Sequence, residues 1–180
     1  MSTFGRFGVK DNIINKRRHI RAPLNVKVIL YPSIDEQAQP MVKFIKDISA
    51  SGAFIESVAV YSVGTILKLM FPITNADKTV QTKAKVVRVV EPMSANDYLT
   101  PGMGVEFLEV PFDSSVLLDN YVINIKYVYE ELILLTTMNE PDLDRIMHLV
   151  KKANIGEYRD YFELKEKVKK IAFSLGILSS

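Results

Sequence analysis

The sequence has no cysteine and no tryptophan, and only two histidines, His19 and His148. Without cysteine, disulfides, thiolate nucleophiles and sulfur-ligated zinc or iron–sulfur centres are excluded. Two imidazoles are too few for a His-built metal site or proton relay, and no Ser/His/Asp or paired-carboxylate constellation stands at a usable spacing. The chain therefore reads as a non-enzymatic protein with no metal and no cofactor. Long apolar runs are also missing: none reaches the roughly 18 residues that a membrane-spanning helix needs. The N-terminal stretch from Met1 to Arg21 lacks the apolar stretch of about 7–15 residues that marks a secretory signal. These absences predict a cytoplasmic location and no membrane span.

What is present is an ordinary globular composition, with 48% hydrophobic and 24% charged residues in a chain of 180. That balance excludes wholesale disorder and fibrous repeats and is enough to bury a core. The net charge of +2 is unevenly placed. Residues 1–22 carry Arg6, Lys10, Lys16, Arg17, Arg18 and Arg21 against Asp11 alone, a net of +5, which leaves −3 for the remainder of a +2 chain. A positive charge so localised suits a small anionic ligand better than a DNA duplex, and no DNA partner is expected.

From Leu24 apolar and other residues alternate with period two through Leu30, the pattern of a half-buried strand that Pro32 stops. Further strands are predicted at Met41 to Asp47, Ala53 to Ser57, Thr65 to Phe71, Thr79 to Val90 and Gly102 to Glu109, separated by Gly-, Pro- and Asn/Asp-containing turns. Six closely spaced strands without intervening helices predict an antiparallel barrel or sandwich. After Pro111 the period becomes helical, with Asp113 or Ser114 as a candidate cap. This helix is apolar nearly all round, which predicts packing on the barrel with one face and on something else with another. A second helix follows Asn139-Glu140-Pro141, with Leu143, Ile146, Met147 and Val150 as its stripe. Gly156 marks a break, and a third helix carries Tyr158, Tyr161, Phe162, Val168, Ala172 and Leu175 as core and a solvated lysine face.

Two segments carry recognisable chemistry. Arg17-Arg18-His19-Ile20-Arg21 presents planar guanidinium forks that match phosphate oxygens and the O6 and N7 acceptors of guanine, although taken alone it reads first as a solvated or disordered basic arm. Asp47-Ile48-Ser49-Ala50-Ser51-Gly52 offers a carboxylate that can accept from the N1 and N2 donors of guanine, a hydroxyl, and a glycine free to take positive φ or to let backbones approach. It reads equally as an ordinary turn between strands.

Taken together, at this spacing and order, the two segments resemble the PilZ domain. That family's pattern is Arg-x-x-x-Arg, filled by Arg17 and Arg21, followed one hairpin later by Asp/Asn-x-Ser-x-x-Gly, filled by Asp47, Ser49 and Gly52. Gly64 to Leu69, Ala84 to Val89 and Gly102 to Leu108 look like the family's later strands, so the resemblance covers about Lys16 to Leu135. It implies a mainly β fold: a six-stranded antiparallel barrel followed by a helix, with a helical tail beyond the family match. The divisions expected are a flexible arm over 1–16, the barrel and its helix over 17–138, and a helical extension over 139–180. The resemblance also implies a bacterial receptor for the second messenger cyclic di-GMP, with roles in motility or biofilm regulation. Carried over, Arg17, Arg18 and Arg21 clamp the ligand, Asp47 and Ser49 hydrogen-bond it, Gly52 keeps the turn close, and Arg88 stacks on guanine or is simply an exposed strand cation. Ligand would change the arm's conformation and the surface offered to a protein effector, or to a second copy through the C-terminal helices. The alternatives are an adaptor with a vestigial site and a nonspecific nucleic-acid binder.

Overall fold

The computed structural model describes residues 20–33, 39–73, 79–92 and 100–178. Six antiparallel strands, β1 (Ala22–Pro32), β2 (Met41–Ser49), β3 (Gly52–Glu56), β4 (Ile66–Pro72), β5 (Thr79–Val90) and β6 (Gly102–Glu109), close into a barrel in the order β1-β2-β3-β6-β5-β4. Closure comes from β1 against β4, where Ile29 pairs with Met70 and Pro32 with Leu67. Every strand thereby gains two neighbours, which removes the open edges that would otherwise template aggregation. The expected six-stranded barrel is thus the fold, and its strands lie within two residues of the periodicity reading.

Alternation decides what fills the barrel. Along β5, Val80, Thr82, Ala84 and Val86 are buried while Thr79, Gln81, Lys83 and Lys85 are exposed. Val28, Leu30, Ile45, Ile55, Leu67, Leu69, Phe71, Met103 and Val105 join them in one core, with the Phe71 and Phe107 rings stacked 6.2 Å apart.

Three helices follow: α1 (Phe112–Thr137), α2 (Leu143–Lys152) and α3 (Tyr161–Ser174). The first is not capped by Asp113 or Ser114. It begins one residue before Asp113, from Pro111, whose carbonyl accepts from the Ser115 N–H, and no side chain caps it. Leu118, near its start, belongs to the barrel core. Val122, Ile125, Val128, Tyr129 and Leu132 form a second core with α2 and α3.

The tail helices begin at carboxylate caps, Asp142 accepting from the Arg145 N–H and Asp160 from the Glu163 N–H. Their buried stripes differ from the expected ones. On α2, Ile146, Leu149 and Val150 are buried and Leu143 and Met147 exposed; on α3, Leu164, Val168 and Ala172 are buried while Phe162 is 73% exposed. Residues two apart on a helix lie about 200° apart, so Phe162 cannot share the face of Leu164. The break after α2 is made by Asn154, at φ 51°, and not by Gly156. The Asn154 and Ile155 amides donate back to the Lys151 and Val150 carbonyls, an αL ending in which asparagine takes the place usual for glycine.

Truncation after Met138 would strip the second core of every residue that α2 and α3 contribute. The truncated chain should aggregate or change oligomeric state in light scattering, because a large uncovered apolar face drives association. A monodisperse truncation in the state of the full chain would show that this core is dispensable.

Candidate functional site

Strand parity would place Asp47 inside the barrel. Ile45 is fully buried, and two residues further along a regular strand the side chain returns to the same face. The register shows why it does not: Ile45 pairs with Ile55 but Asp47 with Phe54, so β2 carries one extra residue there. This bulge turns Asp47 outward and lets Ile48 take the next inward position. Arg21 lies directly before β1, whose Pro23 is the register partner of Asp47. Its Nη1 donates to Asp47 Oδ1 at 2.9 Å, with the two side chains 28% and 36% exposed. Arg17 and Arg18 lie outside the described residues.

A two-residue loop, Ala50-Ser51, joins β2 to β3, with Ser49 opposite Gly52. Ser49 is buried; its hydroxyl donates to the Gly52 carbonyl at 3.1 Å and accepts from the Ser51 N–H at 3.4 Å, so the oxygen is engaged in holding the turn. Gly52 does not take the positive φ that a tight turn can demand; among the described glycines only Gly64 and Gly176 do. A Cβ at Gly52 would fall on the Val105 carbonyl oxygen of β6. Glycine stands here because the two backbones approach closely.

The same geometry recurs on β5. Val86 pairs with Val105 but Arg88 with Gly104, so one extra residue turns Arg88 out of the parity of buried Val86. Cross-strand partners lie side by side on one face, and the registers chain Arg88 to Gly104, Gly104 to Phe54, Phe54 to Asp47 and Asp47 to Pro23. Site residues from β2 and β5, distant in sequence, thus lie on one row across the outer wall. The Arg88 guanidinium sits 5.6 Å from the centre of the Phe54 ring, a cation–π distance. Phe54 is buried without belonging to either core, and a Cβ at Gly102 would come within 2.9 Å of its Cζ. Reading the sequence misses Phe54, Gly102 and Gly104. The signal was available: in Gly102-Met103-Gly104, inward Met103 makes both glycines face outward, a gap that a ring can fill.

Helix α1 fixes the base of the arginine segment. The Tyr121 hydroxyl donates to the Pro23 carbonyl at 2.6 Å, and Ala22 is buried in the second core beside α1. Burial pushes the Tyr121 hydroxyl up to about 12. Tyr129 is pushed up further by burial and by Tyr121 beside it, and its hydroxyl has no partner.

A groove of about 580 Å³, lined by Tyr31, Lys68, Gln81 and Lys83, lies along β4 and β5 and contains none of the site residues. A second cleft of about 520 Å³ is lined by Tyr121, Asn124, Lys151 and Lys152, placing two tail lysines beside the helix residue that holds Pro23. Among the described residues no group of three or more His, Cys, Asp or Glu could hold a metal ion, and no helix is long and apolar enough to cross a membrane.

The family model of the PilZ domain matches residues 15–124. The chain belongs to the PilZ domain family. Among solved structures it is similar to the Bacillus subtilis inhibitor of motility (MotI/DgrA), at 20% identity and a TM-score of 0.52 over 63% of this chain and 53% of that one. The chain thus spans about half the length of MotI/DgrA, and the likeness is one of fold. The PilZ domain with c-di-GMP of YcgR from Escherichia coli is 14% identical over 78% of this chain and 99% of its own, with a TM-score of 0.45. The K. pneumonia MrkH–c-di-GMP complex is 15% identical over 71% of this chain and 56% of its own, with a TM-score of 0.46. No curated protein matches the chain.

Two stability measurements check this geometry. Gly52→Ala should cost at least about 1–3 kcal/mol, the range for overpacking, because the obstacle is backbone; an unchanged melting temperature would mean that β3 and β6 are not so close. Tyr121→Phe leaves the Pro23 carbonyl unpaired and should cost about 1–2 kcal/mol. Since the folded state defers ionisation of Tyr121, the hydroxyl's contribution is complete below pH 10 and is lost as the pH rises through 12. Wild type should therefore lose more stability than Tyr121→Phe across that window in denaturant titrations, and parallel pH profiles would contradict the hydrogen bond from Tyr121 to Pro23.

Proposed function

We propose that this chain is a bacterial, cytoplasmic receptor for cyclic di-GMP that acts by binding and not by catalysis. The observation that carries the reading is the juxtaposition of Arg21 on Asp47 with Arg88 over Phe54 along one outward-facing row. A cyclic dinucleotide with two phosphates and two guanines asks for guanidinium forks, a carboxylate and a flat stacking surface, and the row has one of each. In this reading Arg17, Arg18 and Arg21 clamp phosphates and a guanine edge, and Asp47 accepts from guanine N1 and N2. Ser49 contributes by fixing the turn, and would donate to ligand only by giving up its bond to the Gly52 carbonyl. Gly52 keeps that turn against β6, and Arg88 stacks on a guanine.

Ligand capture draws the arginine segment onto the barrel. Because Ala22 and Pro23 are held by α1, the pull reaches the helices, which supply the surface for a protein effector or a second copy. The expected divisions at 16 and 138 belong to this proposal, with the arm as the capturing element. Regulation of motility or biofilm is the process that fits, and the structural neighbour MotI/DgrA is itself an inhibitor of motility.

Isothermal titration with cyclic di-GMP, against GTP and a short RNA, tests the reading. Arg17→Ala or Arg21→Ala should each weaken binding about 10- to 150-fold, the worth of a charge-assisted hydrogen bond. The apo melting temperature should move little for Arg21→Ala, since a partly exposed ion pair contributes about 0–1 kcal/mol. Asp47→Ala should also weaken binding, although it removes a negative charge beside a dianion. Tighter binding by Asp47→Ala would reduce Asp47 to a counter-ion for Arg21, and equal affinity for RNA with a steep salt slope would favour the polyanion reading.

A further inference from the structure

Helix α1 buries one face in the two cores, yet its opposite face is also apolar. Phe112, Val116, Ile123, Tyr127 and Leu134, with Met138 just past the helix end, are 41–80% exposed. At 100° per residue these six fall within a band about 80° wide, on the side away from Leu118, Val122, Ile125, Tyr129 and Leu132. α2 and α3 already occupy the inner side. Asn120 and Glu130 interrupt the band at its two intermediate positions.

The series 112, 116, 120, 123, 127, 130, 134 and 138 advances by 4, 4, 3, 4, 3, 4 and 4 residues, and these steps read the same in both directions. An antiparallel copy centred on Ile125 therefore sets Phe112 against Met138, Val116 against Leu134, Ile123 against Tyr127 and Asn120 against Glu130. Apolar meets apolar throughout, and the amide N–H of Asn120 can donate to the Glu130 carboxylate. Parallel pairing in register would oppose Glu130 to Glu130 in the seam, a like-charge contact. The exposed fractions amount to roughly 600 Å² per protomer, and with flanking residues the total passes the ~1,200 Å² at which specific interfaces begin.

We propose that this chain forms a two-fold dimer in which α1 packs antiparallel against α1 of a second copy through the stripe from Phe112 to Met138. The proposal rests on the reading that the helices supply a partner surface, and names the partner. The symmetry is isologous: each copy offers the same patch, and the pairing closes at two. The barrel of one protomer then lies toward the tail helices of the other.

Light scattering on the full chain at tens of micromolar should give twice the 20.4 kDa monomer mass. Ile123→Glu and Tyr127→Glu should give a folded monomer whose melting temperature falls only by the stability lost with association, since both side chains are solvent-exposed in the monomer. The absence of native cysteine makes crosslinking clean. Asn120→Cys and Glu130→Cys should form a disulfide when the two variants are mixed, and neither should do so alone. In the antiparallel pair each position lies about 15 Å from its own copy along the axis, beyond the ~7 Å limit for Cα atoms of a disulfide. A monomeric wild type would overturn the dimer; self-crosslinking of Asn120→Cys would overturn the antiparallel arrangement; a dimer in which the mixture fails to crosslink would overturn the face. Cyclic di-GMP titration on the same samples separates the readings: a monomer that binds ligand overturns only the dimer, and a dimer that binds none overturns only the receptor.

Discussion

Closing six strands into a barrel forces every side chain to point either into a full core or out to the wall, and that parity is the constraint on which the site depends. Asp47 and Arg88 stand at positions that regular alternation would assign to the interior, where an unpaired charge costs several kcal/mol. One extra residue in β2 and one in β5 turn them outward. The bulges leave hydrophobic Ile45, Ile48 and Val86 to fill the interior, so a single local irregularity keeps the core apolar and places a charge on the wall. Register then aligns the two through Phe54 and Gly104, residues that carry no charge but fix how far apart the charges lie.

The second dependence runs from the wall to the helices. Arg21 faces Asp47, while the next two residues belong to the helical side: Ala22 is buried among Val122 and Ile125, and Pro23 accepts from Tyr121. Arg21 thus stands two residues from the partly buried hydrogen bond that ties Pro23 to α1. The same helix carries Leu118 in the barrel core, the second core on its inner face and the apolar stripe on its outer face. This one element touches the barrel, the tail helices and the outer surface at once.

Much of this was legible in the sequence because strand alternation and turn residues are local signals. The barrel strands and the helical switch after Pro111 were accessible from spacing, and the resemblance put Arg21 and Asp47 in one site, but the ion pair between them appears only in the fold. Three things were not. The bulges depend on register between strands, which no single strand reveals, so the row joining Asp47 to Arg88 could not be read, although Gly102 and Gly104 marked a gap for a ring. Which of the two reasons for Gly52 applies was not legible, since its close approach to Val105 is a contact across 53 residues that the local sequence does not show. The stripes of α2 and α3 were drawn too wide: Ile146, Val150, Val168, Ala172 and Leu175 are buried as expected, but Leu143, Met147 and Phe162 are apolar yet exposed, and an apolar count cannot tell a core stripe from a surface one.

Hydrogen exchange on the full chain, with and without cyclic di-GMP, tests the central claim most directly, because it reads the wall and the helix in one experiment. The account predicts ligand-dependent protection at Ala22 to Val26, around the loop from Asp47 to Gly52 and on α1 around Tyr121, with the groove at Tyr31 and Lys68 unchanged. Protection confined to that groove, or protection of the wall with none on α1, would contradict it.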